Sequence, residues 1–125
     1  MDVIGVSFHV GSGCGDKKAY NTAFKDASRV FKYADEIGMA PMTMVDIGGG
    51  FPGDRGGYGG PNMPTFQDIA QEVRHSIVEF ESTIKAGLQP SRQLRYIAEP
   101  GRYFVSASTT IASKVYSRKG GHGNT

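Results

Sequence analysis

Met44-Val45-Asp46-Ile47-Gly48-Gly49-Gly50-Phe51-Pro52-Gly53 is a short apolar run that breaks into three consecutive glycines. Bare amides at the end of a strand-length segment let an anion approach with no Cβ in the way, so the run reads as a phosphate cradle. The same glycines would also serve a tight turn that needs positive φ. Two further clusters follow apolar runs. His9 and Ser12 close residues 3–10, which run into Gly11-Ser12-Gly13. Glu99-Pro100-Gly101-Arg102 closes residues 94–98. An imidazole and a hydroxyl at the C-terminal end of a buried strand stand where α/β folds keep their chemistry, although a lone histidine there can equally be a hydrogen-bonded structural residue. Standing alone, Glu99 and Arg102 would be a local ion pair.

The glycine run invites two nucleotide readings, and both fail. Gly48, Gly50 and Gly53 match G-x-G-x-x-G, but that motif should open a helix directly. Here Pro52 and the glycine- and proline-rich residues 54–64 make a long loop instead. No Gly-Lys-Ser or Gly-Lys-Thr follows, which excludes a triphosphate-binding loop of that kind.

The elements that must carry these clusters alternate. Residues 3–10 are nearly continuously apolar, as in a strand buried on both faces of a parallel sheet. Over residues 17–37, Tyr20, Ala23, Phe24, Ala27, Val30, Phe31, Ala34 and Ile37 step by three and four, which predicts one buried stripe of an amphipathic helix with Gly38 as its C-cap. After the glycine loop, Thr65 and Asp68 form a variant capping box for a second helix that buries Phe66, Ile69, Val73, Ile77, Phe80 and Ile84 and closes at Gly87. Strand, helix, strand, helix, strand calls for a parallel α/β sheet, either open or part of a (β/α) barrel. Three strands cannot close a barrel of about 250 residues, so the barrel reading makes this chain about three βα units of eight. Over residues 106–119, the alternation Ile111, Ser113, Val115, Ser117 predicts a strand outside the helical rhythm. The expected division is residues 1–105 as a partial barrel domain and residues 106–125 as the start of a C-terminal β-domain.

Composition narrows the classes. The 125 residues are 38% hydrophobic and 21% charged, an ordinary globular balance. Their 14 basic and 12 acidic side chains are scattered, so the net charge of +2 marks neither a nucleic-acid nor an acidic-membrane surface. One cysteine, Cys14, leaves no intrachain disulfide, and with no signal peptide or membrane-length apolar run the cytosol is the default expectation. No metal-ligand pattern is expected, and His122 among glycines reads as surface.

In this order and spacing, Gly5-Val6-Ser7-Phe8-His9-Val10-Gly11-Ser12-Gly13-Cys14, Asp46-Ile47-Gly48-Gly49-Gly50-Phe51-Pro52-Gly53 and Ile97-Ala98-Glu99-Pro100-Gly101-Arg102-Tyr103 resemble eukaryotic-type ornithine decarboxylase, within the fold-type III pyridoxal-phosphate enzymes. Diaminopimelate and arginine decarboxylases are the related alternatives; the wording from Phe8 to Cys14 is similar to the ornithine branch. The resemblance implies pyridoxal 5'-phosphate as cofactor, ornithine as substrate, putrescine and carbon dioxide as products, and, in the parent, a homodimer open to antizyme. It implies that His9 stacks on the cofactor ring, that Ser12, Gly48, Gly49, Gly50 and Arg102 hold its phosphate, and that Glu99 faces the pyridine nitrogen. His9 and Glu99 are thus the expected catalytic residues. An arginine can grip phosphate through two parallel hydrogen bonds, which a lysine cannot copy.

The family's chemistry also needs an imine-forming lysine on an early strand. None of Lys17, Lys18, Lys25, Lys32, Lys85, Lys114 or Lys119 falls after a barrel strand on the rim, so that lysine and the substrate residues are expected outside these 125 residues, and the chain by itself is expected to be inactive. The glycine richness of residues 54–64 and the wording of residues 117–125 depart from the family. Two other readings stand beside the enzyme: a non-catalytic homologue resembling the antizyme inhibitors, and a small independent phosphate-binding module.

Overall fold

A computed structural model describes residues 1–53, 62–86 and 91–117. The elements run β1 (Gly5–Ser7), α1 (Lys18–Glu36), β2 (Met44–Asp46), α2 (Phe66–Lys85), β3 (Arg95–Ile97) and α3 (Gly101–Val105). The three strands form a parallel sheet in the order β1-β2-β3, as the alternation of strands and helices requires. The rest of the glycine loop (54–61), the expected helix stop at Gly87 and the tail with Lys119 and His122 lie outside the described residues.

Helix α1 buries Tyr20, Phe24, Ala27, Phe31 and Ala34, one stripe at helical spacing. Just ahead of its first turn, Asp16 Oδ1 accepts from the Lys18 amide at 2.9 Å, a bond the sequence pattern does not announce. Its end is a two-bond glycine stop. Gly38, at φ 74°, donates to the Asp35 carbonyl and Met39 to that of Ala34, which satisfies the last turn. Two members of the expected stripe are not buried: Val30 is 47% and Ile37 54% exposed. They fall with half-buried Ala23 at a spacing of seven, on the flank opposite Asn21, whose amide meets Ser76 and Glu79 of α2. One neighbouring helix covers one flank.

Helix α2 begins with the capping box expected. The Thr65 hydroxyl accepts from the Asp68 amide at 3.2 Å, and the Asp68 carboxylate accepts from the Thr65 amide at 2.8 Å. The Thr65 hydroxyl also donates to Asp68 Oδ2 at 2.7 Å, and this bond, followed by the one from the Thr65 amide, holds the Asp68 carboxyl below its ordinary range. Thr65→Ala is expected to lower stability by about 1 kcal/mol at neutral pH. Because a depressed carboxyl loses its contribution as pH falls through the folded value, the gap between wild type and variant should narrow in acid. Denaturant titrations at neutral and acidic pH measure both.

Between helices and sheet lies an aromatic core. Phe24 meets Phe80 with centroids 5.6 Å apart, Phe31 meets Phe80 at 5.2 Å, and Val45, Ile47 and Met42 of the central strand region are buried beneath them. Ile69, Val73, Phe80 and Ile84 of α2 are buried as expected, with Phe66 and Ile77 partly so. A buried ion pair ties the approach to β3 onto the end of α1, Arg92 Nη2 donating to Asp35 Oδ1 at 2.6 Å.

The expected strand over residues 106–119 is not formed in its described part, residues 106–117. Residues 106–108 turn after α3, and 109–117 carry neither strand nor helix, with Ile111, Val115 and Tyr116 exposed. A period of two needs a neighbouring strand to bond, and none is offered among the described residues.

Candidate anion and ring-binding site

The parallel ladder runs past the ends of the strands proper and brings the three clusters together. Phe8 donates to the Asp46 carbonyl at 3.0 Å, Ile47 to that of Ile97 at 2.9 Å, and Glu99 to that of Gly48 at 2.8 Å. Ser7 is paired with Asp46 and Asp46 with Ile97, so two residues further along, His9, Gly48 and Glu99 stand side by side at the C-terminal edge. Side chains alternate along a strand, and Val6, Val45 and Tyr96 pack on the helical core. His9 and Glu99 therefore belong to the opposite face, which no helix covers among the described residues.

Close packing fixes the centre of this rim. Gly48 has φ 62°, and a Cβ there would lie 2.2 Å from the Phe8 carbonyl oxygen. A Cβ on Gly49 would lie 2.8 Å from His9 Nε2, so the imidazole sits directly against bare backbone. The His9 ring is oriented by the Gly11 amide, which donates to Nδ1 at 2.9 Å; that nitrogen accepts, and a proton on the neutral ring belongs to Nε2.

Of the three glycine amides expected at an anion, one is already used. Gly48 N–H donates to Asp46 Oδ1 at 2.9 Å, whereas those of Gly49 and Gly50 have no acceptor among the described residues. Asp46 also receives the Ser7 hydroxyl on Oδ2 at 3.3 Å. The sequence reading treated Asp46 as strand; its signal was an Asp two residues before a glycine, the spacing of a side-chain-closed turn.

Ser12 and Arg102, 90 residues apart, meet at the same edge, the guanidinium Nη2 donating to the Ser12 hydroxyl. Arg102 is delivered by α3, which docks through Tyr103 on Phe66, with ring centroids 4.4 Å apart, and Phe66 in turn leans on buried Phe51 at 5.9 Å. The glycine loop and the arginine are thus placed by one aromatic chain. Two free amides, a hydroxyl and a guanidinium form a donor set suited to a phosphate dianion. The exposed Glu99 carboxylate, which nothing bonds among the described residues, and the His9 ring stand beside it, able to meet a flat cationic heterocycle. The residues present fit pyridoxal phosphate.

The sequence profile described as "Pyridoxal-dependent decarboxylase, pyridoxal binding domain" matches residues 1–106. The chain is 41% identical over 119 residues to antizyme inhibitor 2 of Xenopus laevis, covering 95% of this chain and 23% of that protein. It is 40% identical over 119 residues to ornithine decarboxylase of Mus musculus, again 95% of this chain and 23% of the relative. Among solved structures, ornithine decarboxylase from Entamoeba histolytica superimposes with a TM-score of 0.59 at 32% identity, over 82% of this chain and 25% of that one. The arginine decarboxylase of Paramecium bursaria Chlorella virus gives 0.61 at 32% identity, over 83% and 24%. The chain spans about a quarter of the length of the curated relatives it matches.

Proposed function

The chain belongs to the pyridoxal-dependent decarboxylases, matching their pyridoxal-binding domain, and on that premise we propose that it is the phosphate- and ring-binding part of an ornithine decarboxylase. The observation that carries this is the convergence of His9, Ser12, Gly49, Gly50, Glu99 and Arg102 on one edge of three adjacent parallel strands. The longer protein would convert ornithine to putrescine and carbon dioxide, as a cytosolic homodimer open to antizyme. An eight-stranded barrel suits the three parallel strands and the exposed apolar flank of α1, where a preceding βα unit would pack. Residues 106–125 would lead into a β-domain whose strands supply the ladder that residues 109–117 here lack.

Pyridoxal phosphate supplies an electron sink for the bonding pair released as carbon dioxide leaves. Arg102, Ser12 and the amides of Gly49 and Gly50 hold its phosphate, and Gly48 keeps the turn that presents those amides. His9 offers the face of its imidazole to the ring, fixed in orientation by the Gly11 amide. Glu99, exposed on the same edge, would set a carboxylate toward the pyridine nitrogen and so favour its protonated form.

The test is an absorbance titration of pyridoxal phosphate into the full-length parent. Wild type should bind the cofactor and release carbon dioxide from ornithine. Arg102→Ala should weaken cofactor affinity by about tenfold to a hundredfold, the scale of a hydrogen-bonded charge, with most of the rate recovered at saturating cofactor. A second reading draws on the 41% identity to an antizyme inhibitor. A parent that neither binds pyridoxal phosphate nor releases carbon dioxide would establish that reading in place of the enzyme.

A further inference from the structure

We propose that Tyr20 is a positioning residue for the phosphate cradle: by holding the Gly49 carbonyl from below, its hydroxyl aims the Gly50 amide at the anion. The inference rests on the cofactor reading above and adds to it a residue on the first helix, outside the three motifs and 29 positions before Gly49.

Tyr20 is wholly buried at the start of α1, and its hydroxyl donates to the Gly49 carbonyl at 2.9 Å. No peptide bond here is cis, and across a trans peptide C=O and N–H point in opposite directions. Drawing the Gly49 carbonyl into the core therefore sends the Gly50 N–H out of it. A run of glycines has no side chains to fix its own peptide planes, so the restraint must come from neighbours. Three neighbours provide it. Asp46 takes the Gly48 amide at 2.9 Å, the Glu99 amide donates to the Gly48 carbonyl at 2.8 Å, and Tyr20 holds the Gly49 carbonyl.

The hydroxyl is built to remain a donor. Burial, and secondarily the nearby Cys14, push the phenol up to about 12, so it stays protonated throughout the neutral range. The ring is held independently by stacking on Phe51, with centroids 5.5 Å apart at 29°. Removing the oxygen alone should leave that packing in place while the Gly49 carbonyl loses its buried partner and its peptide becomes free to turn.

The experiment compares full-length wild type, Tyr20→Phe and Phe80→Leu, titrated separately with pyridoxal phosphate and with pyridoxal, which lacks the phosphate, alongside thermal melts. Tyr20→Phe should weaken pyridoxal phosphate about threefold to tenfold and leave pyridoxal affinity within twofold. Phe80→Leu, which loosens the helical core against Phe24 and Phe31 but keeps the Tyr20 hydroxyl, should lower the melting temperature without separating the two ligands. Equal weakening of both ligands by Tyr20→Phe, or no weakening of either, overturns the proposal while the cofactor reading stands. Wild type that fails to bind pyridoxal phosphate overturns both.

Discussion

Replacing Glu99 with alanine in the full-length parent is expected to slow decarboxylation at saturating pyridoxal phosphate by about a hundredfold to a thousandfold, the usual cost of removing one charged or hydrogen-bonding group that acts on developing charge. The carboxylate contributes nothing to packing, because Glu99 is exposed and its backbone, not its side chain, is what joins the ladder through the Gly48 carbonyl at 2.8 Å. The substitution should therefore leave the rim standing and change only the charge presented to the ring nitrogen. In the proposed site Ser12, Gly49, Gly50 and Arg102 would still hold the phosphate, so the cofactor dissociation constant should move by only a few-fold. Measuring the rate at saturation against that dissociation constant separates the two effects. Recovery of full rate with excess cofactor would show that Glu99 only helps binding, and its assignment to the ring nitrogen would be wrong.

Gly48→Ala should produce the largest loss of cofactor affinity, about a hundredfold or more at about 1.4 kcal/mol per decade. Its Cβ would lie 2.2 Å from the Phe8 carbonyl oxygen and 3.0 Å from His9 Cα, so backbone must move rather than a flexible side chain. That movement acts on β1 and the glycine loop together and displaces the His9 ring along with the Gly49 and Gly50 amides, which is where the affinity is lost. The left-handed strain of a Cβ at φ 62°, roughly 1–2 kcal/mol, is carried with or without cofactor and falls on stability instead. Titration with pyridoxal phosphate checks it, and Gly101→Ala, whose Cβ would meet nothing within 4 Å, is the matched control. Equal affinities for the two variants would mean that Gly48 is a turn and not part of the cradle.

What could be read from the chain was whatever depends on near neighbours. The stripe Tyr20, Phe24, Ala27, Phe31, Ala34 is a period of 3.6, the Thr65 and Asp68 box spans three residues, and the Gly38 stop needs only a residue that tolerates positive φ. Apolar runs ending in glycine likewise placed His9, Gly48 and Glu99 after strands, and parallel strands alternating with helices put all such ends on one edge. Local period could not say which flank of α1 would find a partner, so Val30 and Ile37 were expected inside and lie exposed. Nor could alternation over residues 106–119 make a strand, because a ladder belongs to two segments and not to one. The contacts that shape the rim join residues far apart, Tyr20 to Gly49 across 29 positions and Ser12 to Arg102 across 90, and at the other end of the sheet Asp35 meets Arg92 across 57. Residue types and spacing put three glycines, His9 and Glu99 at the ends of strands that share one edge. Only the register of β1 on β2 and β2 on β3, with Val6, Val45 and Tyr96 packed against the helices, decided which of those residues stand side by side, and only the folded chain brought Tyr20 to Gly49 and Arg102 to Ser12.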